Sequence, residues 1–331
     1  MLVLGIESSC DDLSMALVDG GKVLSNVTAT QTLDHAPFGG VVPEIASRRH
    51  LEHLEPTLAL ALEKSGKSLG EIEGIAATFA PGLVGSLLVG LNFAKALAFA
   101  RNLPFRGVHH IEGHLWSAFL ENEAQYPFLA LAVSGGHTHL YYVKDFGSYE
   151  LLGHTVDDAA GEAFDKVAKR MGLDFPGGPA VERLARAGDP RAFEFAVPQV
   201  KGRPLHTSFS GMKTAAMDYL ANLEVERHPD LAASFQRGVV RALIAVLRRA
   251  SEARPVRQLV AAGGVACNGP LRDALAALAA ERKIPLVLPA PKYCTDNGAM
   301  IAFTGEKYLS SGRTHPLSLN ACARLPLGAD A

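Results

Sequence analysis

The 331-residue chain lacks a charge excess, a paired cysteine framework and a long apolar run, and each absence excludes a class of protein. Lysine and arginine number 32 against 34 acidic residues, so the basic excess of a dedicated nucleic-acid-binding domain is missing. Cys10, Cys267, Cys294 and Cys322 share no short spacing, which argues against a disulfide scaffold and against a thiolate zinc site. Reduced thiols in a reducing compartment fit this pattern best.

Membrane and secretory classes are disfavoured as well. No apolar stretch reaches the ~18 residues of a membrane-spanning helix without a glycine, proline or charge. The first residues lack the basic start and the small-residue cleavage site of a secretory signal and run directly into a strand pattern. We therefore expect a cytoplasmic protein with no membrane partner.

The chain also lacks the two commonest nucleotide-binding motifs. It has no Gly-x-x-x-x-Gly-Lys-Ser/Thr phosphate loop, and no Gly-x-Gly-x-x-Gly fingerprint follows a strand. These absences disfavour ordinary P-loop and Rossmann chemistry.

Length and pattern predict two α/β lobes, because 331 residues exceed the size at which one hydrophobic core usually keeps growing. Strand-like runs at Leu2–Ile6, Ser14–Val18 and Lys22–Thr30 open the chain. A similar opening begins at Phe128, with strands at Leu129–Val133 and Thr138–Val143 around a glycine turn. Two related halves are therefore predicted.

Helical patterns follow each opening. Pro43 begins a helix that Pro56 should kink or break. A long helix runs to Ala100, and Gly113 to Glu121 forms another helix directly after a strand. Pro229 begins a helix whose apolar stripe predicts a core face, comprising Leu231, Phe235, Val239, Leu243 and Leu247.

Two histidines four residues apart give the first candidate site. On a helix, His110 and His114 share one face and can hold a divalent cation that still needs a third ligand. Asp296, in the segment Thr295–Gly298, is the carboxylate that would complete the set. Glu112 lies about 200° around the helix from His110, which places it badly to activate a metal-bound water as in zinc proteases.

Four glycine-rich turns suggest a nucleotide site, since glycine lets backbone N–H groups approach phosphate oxygens. Tight turns also need glycine for steric reasons alone, so each turn by itself is weak evidence. Asp157 and Asp158 are interpreted as caps of the helix that follows them. Asp165 has no capping duty in mid-helix, which leaves either a hydrogen bond to a ribose or a surface charge paired with Lys169.

Motifs spread over nearly the whole chain resemble one family, TsaD, the tRNA N6-adenosine threonylcarbamoyltransferases formerly described as glycoprotein endopeptidases. The matching segments occur in the family's order: Gly5–Asp12, Gly39–Glu44, His109–His114, Val133–Thr138, Asp157–Lys166, Ser208–Thr214, Ala262–Asn268 and Cys294–Met300. The Ser-Ser-Cys-Asp-Asp form resembles bacterial members. Ser8, Asp12 and Ala80 depart from the threonine, glutamate and glycine that are usual there.

The resemblance implies a two-lobed, actin-like and sugar-kinase-like (ASKHA) α/β fold with a central cleft. It implies an N-terminal lobe at 1–122, completed by a C-terminal helix at about 295–331, and a second lobe at 123–294. It also implies an acyltransferase-type enzyme that forms t6A. Such an enzyme moves the threonylcarbamoyl group from threonylcarbamoyl-AMP to N6 of the adenosine next to the anticodon in tRNAs that read codons starting with A.

Site residues follow from the resemblance position by position. His110, His114 and Asp296 would bind one divalent metal, Fe2+ or Zn2+. The adenylate, or ATP, ADP or AMP in its place, would contact a set of mostly small residues: Ala132, Val133, Ser134, Gly135, Gly136, Asp165, Gly178 and Asn268, with Glu182 as a further ribose contact. Asp11 is nominated as the base that accepts the amine proton.

Partners are implied in the same way. They are tRNA, a shorter inactive TsaB-type paralogue bound through the N-terminal lobe, and a small TsaE-type P-loop ATPase. Near-neutral charge leaves only local basic pairs for RNA contact, namely Arg48 with Arg49, Lys201 with Arg203, and Arg248 with Arg249. A metalloprotease, an actin-like ATPase or kinase, and a nucleotide-binding scaffold subunit stay open as alternatives.

Overall fold

The strand and helix patterns of the sequence form two mixed sheets with helices packed against them. The computed structural model describes residues 1–328. Its strands are β1 (Val3–Glu7), β2 (Asp12–Asp19), β3 (Lys22–Thr30), β4 (Gly74–Ala80), β5 (Phe105–His109), β6 (Phe128–Val133), β7 (Thr138–Asp145), β8 (Ser148–His154), β9 (Gln258–Ala262) and β10 (Leu286–Val287). Its α-helices are α1 (Thr32–His35), α2 (Pro43–Ser65), α3 (Val84–Arg101), α4 (His110–Ser117), α5 (Ala160–Arg170), α6 (Gly177–Ala185), α7 (Ser210–Leu220), α8 (His228–Ala253), α9 (Gly269–Arg282) and α10 (Gly298–Ser310).

Two compact units divide the chain. One comprises Met1–Asn122 with the residues from Thr295 onward, and the other comprises Glu123–Cys294. Each contains a five-stranded sheet, in the order β3-β2-β1-β4-β5 and β8-β7-β6-β9-β10. In both sheets three consecutive strands pair antiparallel, and two later strands join in parallel. This repeated topology accounts for the two similar openings in the sequence, while the expected cleft stays a prediction.

The first sheet is covered by helices on both faces. Helices α2 and α3 contribute to the core cluster that contains alternate side chains of β1 and β4, whereas Met300 and Ile301 of α10 cluster with Val3 and Ala76. At Gly5 in β1 a Cβ atom would lie 2.3 Å from the backbone nitrogen of Ala302. Glycine is therefore required for this close approach. It fixes the start of α10, and with it Asp296, beside β1.

The second sheet packs against α8 through the predicted apolar stripe. Its side chains are all fully buried, as the spacing predicts: Leu231, Phe235, Val239, Leu243 and Leu247. They belong to one core cluster with Leu131, Val133 and Phe164. The interpretation of this stripe as core is confirmed.

Several expected boundaries were wrong. Helix α2 continues through Pro56, which is exposed, so the carbonyl that proline leaves without a helical donor lies on the solvent side. The hairpin strand β8 was not predicted. The C-terminal helix ends at Ser310 rather than running on, and residues 329–331 of the expected segment lie outside the described residues. The chain beyond the helix instead bonds to the first unit, with Cys322 N donating to Phe79 O at 2.9 Å.

Helix α3 is long and apolar enough to span a membrane by length and composition alone. This is weak evidence, because a core helix of a soluble protein passes the same test. Leu91 and Ala94 of α3 are fully buried and belong to the core cluster that contains side chains of β1 and β4.

Candidate metal centre and nucleotide-binding turns

Helix α4 begins at His110, three residues earlier than expected. The His109 side chain caps it by accepting a hydrogen bond from Ile111 N at 3.2 Å, and its Nε2 lies 2.9 Å from Leu325 O. The cap was missed because histidine is an uncommon N-cap. The early start places His110 and His114 one turn apart on one helix face. Their rings lie 4.6 Å apart, centroid to centroid.

The capped N-terminus of α10 places Asp296 beside the two histidines. Asn297 caps that helix by accepting from Met300 N at 2.9 Å, and its amide donates to Thr295 O at 2.7 Å. The Asp296 Oδ1 atom lies 3.0 Å from His114 Nε2 and 3.7 Å from His110 Nε2. One ligand atom from each side chain lies within 4.8 Å of the others.

This donor set fits the metal that the resemblance implies. Two imidazole nitrogens and one carboxylate oxygen suit Fe2+ or Zn2+ and leave coordination positions open. Both histidines are almost fully buried, and the side chain of Asp296 is 24% exposed. His114 Nδ1 is buried without a hydrogen-bond partner in the structure, so Nε2 is the nitrogen with a polar neighbour.

Glu7 is the residue that the sequence interpretation missed. It ends β1, is fully buried, and its Oε2 lies 3.1 Å from His110 Nδ1. Thr78 Oγ1 and Ser9 N donate to the same carboxylate at 2.5 and 2.6 Å. A carboxylate behind an imidazole orients the ring toward the metal. A lone glutamate at the end of an otherwise apolar strand was the signal available in the sequence.

Glu7 and His110 each shift the pKa of the other. Burial alone would raise the pKa of Glu7, yet the charge of His110 and the hydrogen bond between them lower it overall. Burial likewise disfavours charge on His110, but Glu7 and Asp296 outweigh that effect and raise its pKa to about 9. The pocket therefore favours positive charge beside its carboxylates, which is what a cation site requires.

Glu112 points to a different partner. Its side chain is buried and accepts a hydrogen bond from Tyr308 OH at 2.5 Å in α10. The contact joins α4 to α10. It supports the helical-angle argument that Glu112 does not serve the histidine face.

Asp11 lies in the loop between β1 and β2 that carries Ser9, and Asp12 is the first residue of β2. Ser9 Oγ lies 3.1 Å from His110 Nδ1, so this loop adjoins the histidines. Asp11 is half-buried, and its role as base stays a prediction. Burial, with the nearby charges of Asp296 and Asp11, raises the pKa of Asp12 to about 7.

In the second unit the turn after β6 presents open backbone. Ala132 and Val133 are buried in the strand, so only their main chains are candidates for ligand contact. Ser134 closes the turn by accepting from His137 N through its hydroxyl at 3.2 Å. Gly135 and Gly136 have no atom within 4 Å of where a Cβ would be. Their open surroundings suit close approach by a phosphate.

Helix α5 joins this turn to the next predicted residues. At Gly161 a Cβ would lie 2.6 Å from Ser134 O, so the helix starts directly against the turn. One turn later Asp165 Oδ1 accepts from Gly177 N at 2.7 Å, at the start of α6. Gly178 follows, with open space at its Cβ position. The structure thus brings the glycine turn, Asp165 and Gly178 together.

Asn268 and Glu182 complete the cluster but are engaged with protein groups. Asn268 caps α9 by accepting from Leu271 N at 3.1 Å, and its amide donates to Glu182 at 3.1 Å and to Gln236 at 2.7 Å. A cavity of about 470 Å³ is lined by Glu182, Gln236, Val240 and Pro270 among others. Gln236 was not predicted, since nothing in its helical position marks it.

The expected local capping by Asp157 and Asp158 was wrong. The residue before α5 is Ala159, and Asp157 instead accepts from Phe209 N at 2.7 Å and Ser210 N at 3.3 Å at the start of α7. Asp158 pairs with Lys166 at 2.8 Å and with Lys213. These acids join distant segments of the second unit, which adjacency in sequence cannot reveal.

Comparison with known proteins assigns the family. The model of the family described as TsaD, tRNA N6-adenosine threonylcarbamoyltransferase, matches residues 22–303. A protein of that name from Pelobacter propionicus is 51% identical, over 98% of this chain and 96% of its own length. One from Geobacter metallireducens is 52% identical, over 99% and 97%. The chain belongs to this family.

Solved structures of lower similarity bear on the fold alone. The chain matches HypF of T. kodakarensis with a TM-score of 0.63 at 16% identity, over 94% of this chain and 48% of that one. It matches component A of (R)-2-hydroxyglutaryl-CoA dehydratase from Acidaminococcus fermentans with a TM-score of 0.56 at 14% identity, over 94% and 99%. The expected actin-like, ASKHA-type fold class is confirmed.

The basic pairs considered for RNA contact differ in their surroundings. Arg48 pairs with Glu44 at 2.9 Å, and Arg49 pairs with Asp34 at 2.8 Å. Arg248 pairs with Glu281, and Arg249 donates to Pro204 O at the surface. Lys201 and Arg203 are exposed in the loop before α7. Acidic neighbours thus lower the local positive charge at the first and last pairs.

Proposed function

We propose that this chain transfers the threonylcarbamoyl group from threonylcarbamoyl-AMP to N6 of the adenosine 3′-adjacent to the anticodon, forming t6A in tRNAs that read codons starting with A. The supporting observation is the convergence of His110, His114 and Asp296 in a chain about half identical to proteins named tRNA N6-adenosine threonylcarbamoyltransferase. In this transfer an N–C bond forms at the carbamoyl carbon. The bond from that carbon to the AMP oxygen breaks, and AMP leaves.

Orientation is the main task of the enzyme, because the mixed anhydride is already activated whereas the exocyclic amine of adenine is a weak nucleophile. Backbone N–H groups of Gly135 and Gly136 hold the leaving phosphate in this proposal. Asp165 and Gly178 hold the ribose side, with Glu182 as a further ribose contact. Open space at these glycines and the Asp165–Gly177 hydrogen bond support the assignment.

In this proposal Asn268 acts by positioning neighbouring groups. Its amide is already bonded to Glu182 and Gln236, and its carbonyl oxygen caps α9. It therefore holds Glu182 at the cavity and presents the α9 N-terminus to the nucleotide.

His110, His114 and Asp296 would hold one divalent cation, Fe2+ or Zn2+, in the metal site. When bound, such a cation supplies Lewis-acid and templating chemistry toward the donor. Glu7 keeps the His110 ring in place through Nδ1. Asp11 accepts the proton lost from the amine.

Partners follow the same proposal. The tRNA substrate is implied by the family, and a TsaB-type paralogue and a TsaE-type P-loop ATPase assist the reaction. An exposed apolar stripe on α3 supports a protein partner on the N-terminal unit: Val84 is 50% exposed, Leu88 is 36% exposed and Phe99 is 78% exposed. Exposed stripes of this kind mark association surfaces.

Four free cysteines support a reducing, cytoplasmic location.

The rival functions are less well supported. A metalloprotease needs a general base at the metal, and Glu112 is bonded to Tyr308 instead. An actin-like ATPase or kinase fits the fold class but leaves the His–His–Asp set without a purpose. A scaffold subunit that only binds nucleotide has the same difficulty.

Replacement of His114 by alanine tests the proposal. We expect bound metal and t6A formation each to fall at least about tenfold, because one of the three proposed ligands is lost. Metal content is measured by elemental mass spectrometry and t6A by mass analysis of tRNA nucleosides. His53→Ala, which removes an imidazole from α2, is the matched control and should keep both. Retention of metal and activity in His114→Ala would overturn the metal assignment.

A further inference from the structure

Cys267 and Cys294 lie far apart in sequence but contact the same short segment of the second unit. Cys267 Sγ lies 3.8 Å from Pro291 O, and Cys294 Sγ lies 3.7 Å from both Pro289 O and Ala290 O. Both are free thiols, and their sulfur atoms lie against three consecutive carbonyl oxygens, those of residues 289, 290 and 291. The fold has thus built a thiol pair that the sequence spacing concealed.

The two thiols have different surroundings. Cys294 is fully buried, whereas Cys267 is half-buried and open in part to solvent. Arg272 holds its guanidinium 3.3 Å from Cys294 Sγ, and it is itself fixed by Ala266 O and Pro289 O, each at 2.8 Å. A positive charge therefore stands beside the pair. An accessible thiol with a buried partner is the arrangement of an attacking and a resolving cysteine.

The surroundings of Cys267, the more accessible thiol, favour its ionisation to the thiolate. The neighbouring Cys294 thiol and the positive charge of Arg272 together outweigh the effect of burial and lower the pKa of Cys267 to about 7. A substantial thiolate fraction is then present near neutral pH, and the thiolate is the form that reacts with peroxides.

We propose that Cys267 and Cys294 form a peroxide-sensitive site that closes to an intramolecular disulfide. The Cys267 thiolate attacks hydrogen peroxide, an S–O bond forms as the O–O bond breaks, and hydroxide leaves. The Cys294 sulfur then attacks the resulting sulfenic acid, and water leaves as the S–S bond forms. In sum two thiols lose two hydrogens, and one peroxide is reduced to two waters.

The site adjoins the nucleotide cluster, because Cys267 directly precedes Asn268. A disulfide at this position restrains the turn that leads into α9, where Asn268 bonds to Glu182 and Gln236. We therefore expect the oxidised protein to bind adenylate more weakly. This consequence depends on the proposed function, whereas the disulfide itself does not.

Peptide mapping tests the disulfide directly, since the four cysteines fall in separate tryptic peptides, 1–22, 258–272, 293–307 and 314–324. The reduced protein is treated with hydrogen peroxide, blocked with iodoacetamide and digested without reductant. We expect a cross-linked 258–272/293–307 pair that disappears after phosphine reduction. Cross-links through Cys10 or Cys322 only, or no cross-link while those thiols oxidise, would overturn the proposal.

Variants assign the order of attack. In Cys294→Ser the sulfenic acid at Cys267 has no resolving thiol, so dimedone should label peptide 258–272 about fivefold more than in wild type. Cys322→Ser, which removes another half-buried thiol, is the matched control and should still give the cross-link. Equal dimedone labelling in Cys294→Ser and wild type would overturn the assigned order.

Calorimetric titration with AMP tests the consequence. We expect AMP affinity to fall about tenfold after peroxide treatment, to recover with phosphine, and to be insensitive to peroxide in Cys267→Ser. Unchanged AMP affinity in fully cross-linked protein would overturn the coupling between the thiol pair and the nucleotide cluster. Failure of reduced wild-type protein to bind AMP would instead count against the proposed function, with the peptide map unaffected.

Discussion

Glu7 shows how single residues shape the candidate metal site. A fully buried carboxylate is costly unless it is paired, and Glu7 is paired with His110, Thr78 and the Ser9 backbone. The hydrogen bonds of Glu7 offset the unfavourable free energy of its burial only while the surrounding groups stay in place. The same contacts keep the His110 ring oriented toward Asp296. One acid thus links β1, β4 and α4 at the site.

Asp165 offers a test of the nucleotide cluster at the residue scale. We expect Asp165→Ala to weaken AMP binding at least about tenfold, because both the charge and the acceptor for Gly177 N are lost. Asp165→Asn keeps an acceptor oxygen for Gly177 N, so it should preserve folding while removing the charge. Titration calorimetry measures affinity and circular dichroism measures folding. Unchanged AMP affinity in both variants would show that Asp165 is a surface charge and does not bind the nucleotide.

Asp12 predicts a pH dependence of stability in the metal-free protein. Its pKa is raised from 3.8 to about 7, so the folded state holds a proton that the unfolded state releases between these values. Stability contributed at this position is therefore present at low pH and is lost as pH rises through about 7.

Asp12→Asn should remove that loss. We expect its apparent unfolding free energy to exceed that of wild type by about 1–2 kcal/mol near pH 8 and by little near pH 4.5. Thermal unfolding of chelator-treated protein measures the difference. Asp174→Asn, at an exposed acid, is the charge-matched control. A gap between Asp12→Asn and wild type that stays constant with pH would contradict the prediction.

The sequence predicts some residues of the metal site and not others. The spacing of His110 and His114 is local, so helix geometry alone placed them on one face. Asp296 was named as the third ligand both before and through the family resemblance, although no local pattern joins it to a helix 182 positions away. Glu7 and the long-range cap by Asp157 depend on tertiary pairing, which no spacing encodes.

Elements were predicted where their signals are local. Strands β1, β2, β3, β6 and β7 follow from strand-like runs bounded by turn residues, and the core face of α8 follows from its apolar spacing. Predictions failed where the tertiary structure overrides a local rule. Helix α2 tolerates Pro56 on its exposed face, and α4 starts on an unusual histidine cap. The chain after α10 is held in place by contacts to β4 and His109 rather than by helical bonds.

Helix α3 carries the element-scale prediction. Its exposed stripe should bind the shorter paralogue, so Leu88→Asp combined with Phe99→Asp should weaken that complex at least about thirtyfold while the chain stays folded. Analytical ultracentrifugation with the purified paralogue measures the loss. Val225→Asp, at a 70% exposed valine of the other unit, is the control and should leave pairing intact. Pairing by the α3 variant but not by the control would contradict the assignment.

Across the whole molecule the two units share one sheet topology but carry different chemistry. The first contains the His–His–Asp donor set with its supporting Glu7. The second contains the open glycine turns, Asp165 and the Asn268 network. Duplicated topology explains the fold, whereas the side chains at the strand ends distinguish the two sites.

Incubation of the metal-loaded protein with threonylcarbamoyl-AMP, an unmodified tRNA and the partner proteins tests the central claim most directly. Nucleoside mass spectrometry should then detect t6A, in amounts that depend on His110, His114 and Asp296. Absence of t6A from the complete mixture, with metal bound and partners assembled, would contradict the account.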